Sequence, residues 1–301
     1  MKRRAKHLLA LACVLVIDAG IVFGVGEYLS APVRHAVGAP PPELYASDVL
    51  IPTGRGLVAG WVARGSGDGV VLLLHGVRAN RSQMKARGLW LNRLGYSVLM
   101  IDLASHGESA GKRITFGAHE ADGVRAAIAY LRKVMPGERI GVIGVSLGAA
   151  ALVLSQPGAA LDAVVLEAMY PTIEEAIENR LRMHLGAPGA WLTPLLVWQL
   201  ALRTDVSPAQ LRPIDAMATL ASPVMVIGGE QDLHTSMAET RRVHAAGRGD
   251  KTLWLVPGAG HADFHAVAKL EYEQRVGAFL SAKLSRNTPG VSSRNVTRAG
   301  H

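Results

Sequence analysis

Short, continuous apolar runs recur along this chain at 70–74 (VVLLL), 97–103 (SVLMIDL), 139–145 (RIGVIGV), 163–168 (AVVLEA) and 223–227 (PVMVI). Runs of this length and continuity suit strands covered on both faces, as in a parallel sheet. Helical stretches separate them, near 82–94, 118–134 and 147–154, then 237–245 and 266–283. Two further strand-like segments, 44–51 and 57–63, precede this series, and another spans 251–256. The alternation predicts an α/β fold with a mainly parallel sheet and helices on both faces. It breaks at about 173–212, where no clear strand is found, and this insertion is read as a small helical cap over one end of the sheet. Its apolar residues pack the cap onto the body, and Trp191 and Trp198, together with His75, are expected to line a substrate pocket.

The chain has 301 residues, 49% hydrophobic and 19% charged, enough for one large domain of residues 44–284 with small appendages. The net charge of +8 raises nucleic acid as a partner, so its location matters. Lys2, Arg3, Arg4 and Lys6 at one end and Lys283, Arg286, Arg294 and Arg298 at the other account for all of it, leaving residues 7–282 formally neutral. A nucleic-acid binder carries its basic face on the folded domain, so no nucleic-acid partner is expected. The single cysteine, Cys13, excludes an intramolecular disulfide, and no His or Cys cluster has the spacing of a metal site.

The basic residues at the start are followed by an apolar run at 8–26 interrupted by one charge, Asp18. About twenty apolar residues suffice to span a bilayer. Residues 1–30 are therefore read as a membrane anchor or signal segment. The positive-inside rule directs the body to the extracytoplasmic side, and cleavage would release it as a secreted protein. Pro-rich residues 31–43 are read as a linker, and residues 285–301, rich in Ser, Asn and Arg, as a disordered tail.

Residues 144–148 read G-V-S-L-G, directly after an apolar strand and at the opening of a small-residue helix. That context is the one in which G-x-S-x-G presents a nucleophilic serine: the strained strand-to-helix turn projects Oγ above the sheet, at a helix N-terminus that favours developing negative charge. Ser146 then needs a base, and the base needs an orienting acid. Asp232 follows the strand at 223–227 and His261 follows the strand at 251–256, so both lie where open α/β sheets place their sites. Glu230 and Glu167 stand as rival acids. His75 and His106 fall in loops near the site and read as structural or pocket-lining, while His119, His234, His244 and His265 read as surface residues. The N–H groups of Leu147 and Val77 are the candidate oxyanion donors.

The segments LLLHG (72–76), MIDLASHGES (100–109), GVIGVSLGAA (141–150), SPVMVIGGEQD (222–232) and VPGAGHADF (256–264) together resemble the α/β-hydrolase superfamily, in family order. Within it the chain is similar to small bacterial hydrolases with a short cap, near the serine aminopeptidases and prolyl oligopeptidases, whose members are mostly esterases, thioesterases or peptidases. The resemblance makes Asp102 and Gly107 part of a structural turn, although this chain carries ASHGES where relatives often have an Arg-Gly pair. It implies acyl transfer from a small-molecule ester or thioester through an acyl-enzyme, with no cofactor. An exopeptidase using Glu174, Glu175 or Glu178 to bind a free amine is an alternative, as is a non-catalytic, membrane-tethered binding module.

Overall fold

The computed structural model describes residues 2–158 and 161–285. Its strands are β1 (Val33–Arg34), β2 (Ser47–Thr53), β3 (Gly56–Ala63), β4 (Val70–Leu74), β5 (Ser97–Ile101), β6 (His106–Gly107), β7 (Ile140–Val145), β8 (Ala163–Glu167), β9 (Val224–Gly229) and β10 (Lys251–Val256). Its α-helices are α1 (Lys2–Ser30), α2 (Lys85–Arg93), α3 (Glu120–Val134), α4 (Leu147–Leu154), α5 (Ile173–Leu185), α6 (Thr193–Thr204), α7 (Pro213–Ala216), α8 (Met237–Ala246), α9 (Phe264–Val267) and α10 (Lys269–Leu284).

An eight-stranded sheet runs β10-β9-β8-β7-β4-β5-β3-β2. Only the pairs involving β3, with β2 and with β5, are antiparallel. The continuous apolar runs explain the two covered faces. In β4 the side chains of Val70, Leu72 and Leu74 enter one core with α3, α4 and α8, while Val71 and Leu73 enter the other with α2 and α10. Fully burying one such side chain is worth about 1.5–3 kcal/mol, so neither face of the central strands tolerates a polar residue cheaply. The strand order reverses about β4, which pairs with β5 on one side and β7 on the other. The crevice beyond the C-terminal ends of strands at such a reversal is where ligands bind.

The insertion after β8 folds as α5, a 3₁₀ segment at Ala187–Leu192 and then α6, packed over that end of the sheet. The side chain of Thr172 caps α5 by accepting from the Glu175 N–H. Residues 31–43 are not a free linker: β1 pairs in parallel with β6, and Pro42–Leu44 forms a 3₁₀ turn whose Leu44 is buried. Among the described residues no helix is long and apolar enough to cross a membrane. Most side chains of the apolar run 8–26, expected to form an anchor, lie outside the described set, as does the expected tail beyond Ser285.

Candidate active site

Ser146 occupies the turn between β7 and α4 with φ 49° and ψ −106°. A non-glycine residue at positive φ is a strained conformation that its surroundings must hold. Here the Ser146 N–H donates to the Glu167 carbonyl on β8 at 2.8 Å. The turn also needs Gly148, because a Cβ there would meet the Leu74 carbonyl oxygen at 2.6 Å. Ser146 is 5% exposed.

Asp232 and His261 come together because the loops after β9 and β10 interlock. The Gln231 N–H donates to the Ala259 carbonyl at 2.8 Å, and Gly229 allows an approach in which any Cβ would meet that oxygen at 2.3 Å. His261 Nδ1 lies 2.8 Å from Asp232 Oδ2, while Asp232 Oδ1 accepts from the His234 and Thr235 N–H groups at 2.7 and 2.9 Å. Burial alone pushes the Asp232 carboxyl up, but the hydrogen bond and charge of His261 with these two N–H groups outweigh it and hold the group below the usual carboxylate range. A carboxylate so held fixes the imidazole with Nδ1 as donor and leaves Nε2 as acceptor.

Two cavities meet at Ser146. One, of about 340 Å³, is the more polar of the two, and is lined by Gly76, Gln83, His234, His261 and Asp263 beside Ser146. The other, of about 180 Å³, is apolar and is lined by Phe116, Leu147, Tyr170, Ile173 and Leu196 among others. Val77 and Arg180 line both. Arg180 rises from α5, and its hydrogen bond among the described residues goes to the Ala176 carbonyl at 3.0 Å.

Several sequence-based expectations are corrected here. Trp191 and Trp198 line neither cavity and are 83% and 61% exposed. In α6 the inward residues are Leu196, Gln199, Leu200 and Arg203, one helical face at spacings of three and four. Trp198, two residues past Leu196, therefore falls on the opposite side. His75 is fully buried and lines neither cavity. Its Nδ1 lies 2.7 Å from the Gly76 carbonyl and its Nε2 accepts from the Leu103 N–H at 2.9 Å, so its role is to brace the loop after β4. His265 is buried against Trp90 and Tyr272 and bonds Glu273, so it is not a surface residue. His234, also read as a surface residue, stacks on His261 at 4.6 Å and lines the polar cavity. Its place two residues after Asp232 is the one sequence feature that sets it near the site.

The rival acids are engaged elsewhere. Glu167 is buried in an ion pair with Arg87 at 2.7 Å and accepts from the Tyr272 hydroxyl at 2.6 Å. Glu230 is exposed and reaches the Gly258 N–H. Glu174, Glu175 and Glu178 line neither cavity; Glu175 pairs with Arg242 and Glu178 with Arg182.

Residues 71–271 match the model of the alpha/beta hydrolase family. The chain is similar to the uncharacterized protein Rv2307c of Mycobacterium tuberculosis, 29% identical over 279 residues that cover 87% of this chain and 90% of that one. It is also similar to the uncharacterized protein YqkD of Bacillus subtilis, 26% identical over 70% of each chain. Among solved structures, the esterase Pf2001 of Pyrococcus furiosus superposes with a TM-score of 0.72 at 24% identity, covering 85% of this chain and 99% of that one. The chain belongs to the alpha/beta hydrolase family.

Proposed function

We propose that this protein is a serine hydrolase that cleaves a carboxylic ester or thioester, with Ser146 as nucleophile, His261 as general base and Asp232 as the orienting acid. The observation that carries the reading is the His261–Asp232 contact of 2.8 Å in the same cleft as a serine held at φ 49°. Ser146 gives its proton to His261 Nε2 as Oγ attacks the acyl carbonyl, and the Asp232 carboxylate stabilises the imidazolium that forms. The N–H groups of Leu147, at the start of α4, and Val77, after β4, receive the oxyanion. His261 then protonates the leaving group, and water activated by the same imidazole releases the acyl group from Ser146. The apolar cavity suits the acyl chain and the polar cavity suits the leaving group and incoming water. The name of the similar esterase agrees with ester chemistry, and the engagement of Glu175 and Glu178 in ion pairs weighs against an amine-binding exopeptidase site.

The basic residues before the apolar run 8–26 support tethering of the body to a membrane, on the extracytoplasmic side. The hydrolase reading is tested by assaying the full-length chain and Ser146→Ala on p-nitrophenyl esters and thioesters. Turnover that vanishes with Ser146→Ala is expected. Equal activity of the two proteins would refute the nucleophile. Turnover of aminoacyl amides alone would move the chain to the peptidases, and inactivity on every acyl class would leave a binding module.

A further inference from the structure

The apolar cavity beside Ser146 is lined in part by residues from an unexpected part of the chain. Gly26 and Leu29, in the last two turns of α1, line the same cavity as Ser146 and Leu147. These turns are fastened from several directions. The Ser30 carbonyl accepts from the Ile114 N–H at 2.8 Å. Glu27 pairs with Arg113 and, at 3.0 Å, with Arg203 of α6. Arg203 also donates to the Phe23 carbonyl at 2.7 Å and lies 4.0 Å over the Phe23 ring, its side chain only 7% exposed. Arg78 donates to the Tyr28 carbonyl at 2.9 Å and stacks on the Tyr28 ring. Cations on the carbonyl end of a helix complement its dipole. Gly26 lies directly under α6, where a Cβ would meet the end of the Gln199 side chain at 2.8 Å and displace it. A segment that merely preceded the domain would need none of these attachments.

We propose that the last two turns of α1 are a wall of the acyl site and set its chain-length limit, the site taking a straight acyl chain of about six to eight carbons. This rests on the hydrolase reading for the word acyl, but the wall itself stands on the lining residues. The length follows from volume. A cavity of about 150 Å³ holds a six-carbon ligand such as benzene, and this one measures about 180 Å³. Leu29 lines this cavity together with the cap residues Leu196 and Leu200, so the size of its side chain bears on the space left for the chain.

The test uses the full-length chain, Leu29→Trp and Leu29→Ala. kcat/KM is measured on p-nitrophenyl acetate, hexanoate, octanoate and decanoate, and octanoate binding is measured by calorimetry. The parent is expected to prefer hexanoate or octanoate. Leu29→Trp is expected to lower the octanoate-to-acetate ratio of kcat/KM about tenfold, mainly through KM, and to weaken octanoate binding by a similar factor. Leu29→Ala is expected to move the optimum towards decanoate. Shifts of opposite sign are not produced by misfolding, which lowers all substrates together. Ser146-dependent turnover with the same chain-length profile and octanoate affinity in all three proteins would overturn the wall and leave the hydrolase reading intact. Octanoate binding that depends on Leu29, without turnover of any ester, would do the reverse.

Discussion

The His75–His106 and His234–His261 pairs are both ring contacts, with centroids 5.1 and 4.6 Å apart, yet their wiring differs throughout. In the first pair each imidazole has both nitrogens committed to backbone. His75 bridges the Gly76 carbonyl and the Leu103 N–H, and His106 bridges the Ala104 carbonyl and the Arg78 N–H. A proton added to Nε2 in either ring would face another N–H, and burial already disfavours it, so the pKa of each is pushed down to about 4. In the second pair His261 has one nitrogen on a carboxylate, and among the described residues none bonds the other, the nitrogen to which the proposed mechanism assigns the proton transfer. His234, stacked on His261, is pushed down to about 4 by burial first and then by the neighbouring His261 and Arg180. An imidazole with both nitrogens bonded to backbone groups is a strut, whereas one that turns a nitrogen to a cleft can exchange a proton with a hydroxyl or water there.

Removing His261 tests the difference most severely. His261→Ala is expected to cut kcat by about 10⁵–10⁶ on an ester, as losses of triad bases do, with the melting temperature little changed. Asp232→Asn comes next, at about 10⁴ in kcat, because the amide leaves the imidazole in the wrong tautomer. A loss below tenfold would show that the Asp232 contact orients nothing.

The buried pair is read through pH. Its folded pKa values lie below the unfolded value of about 6.5, so the unfolded chain binds more protons between them. The stability this preserves is fully present above pH 6.5 and is lost as pH falls towards 4, by roughly 3 kcal/mol for each histidine. Urea unfolding between pH 7.5 and 4.5 should show that slope, and His75→Gln should flatten it while lowering stability at neutral pH. A slope unchanged by His75→Gln would mean that the imidazole takes up its proton without unfolding.

The smallest effect is expected at His234. His234→Phe keeps a ring against His261 and should hold kcat within about threefold, whereas His234→Ala should lower it about tenfold by loosening the base. Equal activity of the two variants would assign the stacking no positioning role.

The sheet was legible in the sequence because strands buried on both faces leave no choice of polarity: VVLLL and RIGVIGV read the same in any register. Ser146, Asp232 and His261 were legible as candidates because each follows an apolar run, and the ends of parallel strands converge on one edge. His234 sat two residues from Asp232 and still escaped, since nothing local tells whether a loop imidazole turns to solvent or onto a neighbouring ring. Trp191 and Trp198 erred for a related reason. Their size and apolarity mark them for burial, but the phase of α6 is set by Leu196, Gln199, Leu200 and Arg203, which leaves Trp198 on the outer face, and Trp191 is exposed in the 3₁₀ segment before it.

By itself, then, the sequence determined the α/β architecture, the serine elbow and the order of the candidate catalytic residues, all of which rest on local periodicity and turn chemistry. The tertiary structure alone decided which loops touch: that the loops after β9 and β10 interlock to join Asp232 to His261, that Glu167 is engaged by Arg87 and Tyr272, and that α1 ends against the cap with Gly26 and Leu29 lining the cavity beside Ser146. Such contacts join residues far apart in the chain, and they are settled by how packed elements share volume and pair buried charges, which no short window of residues encodes.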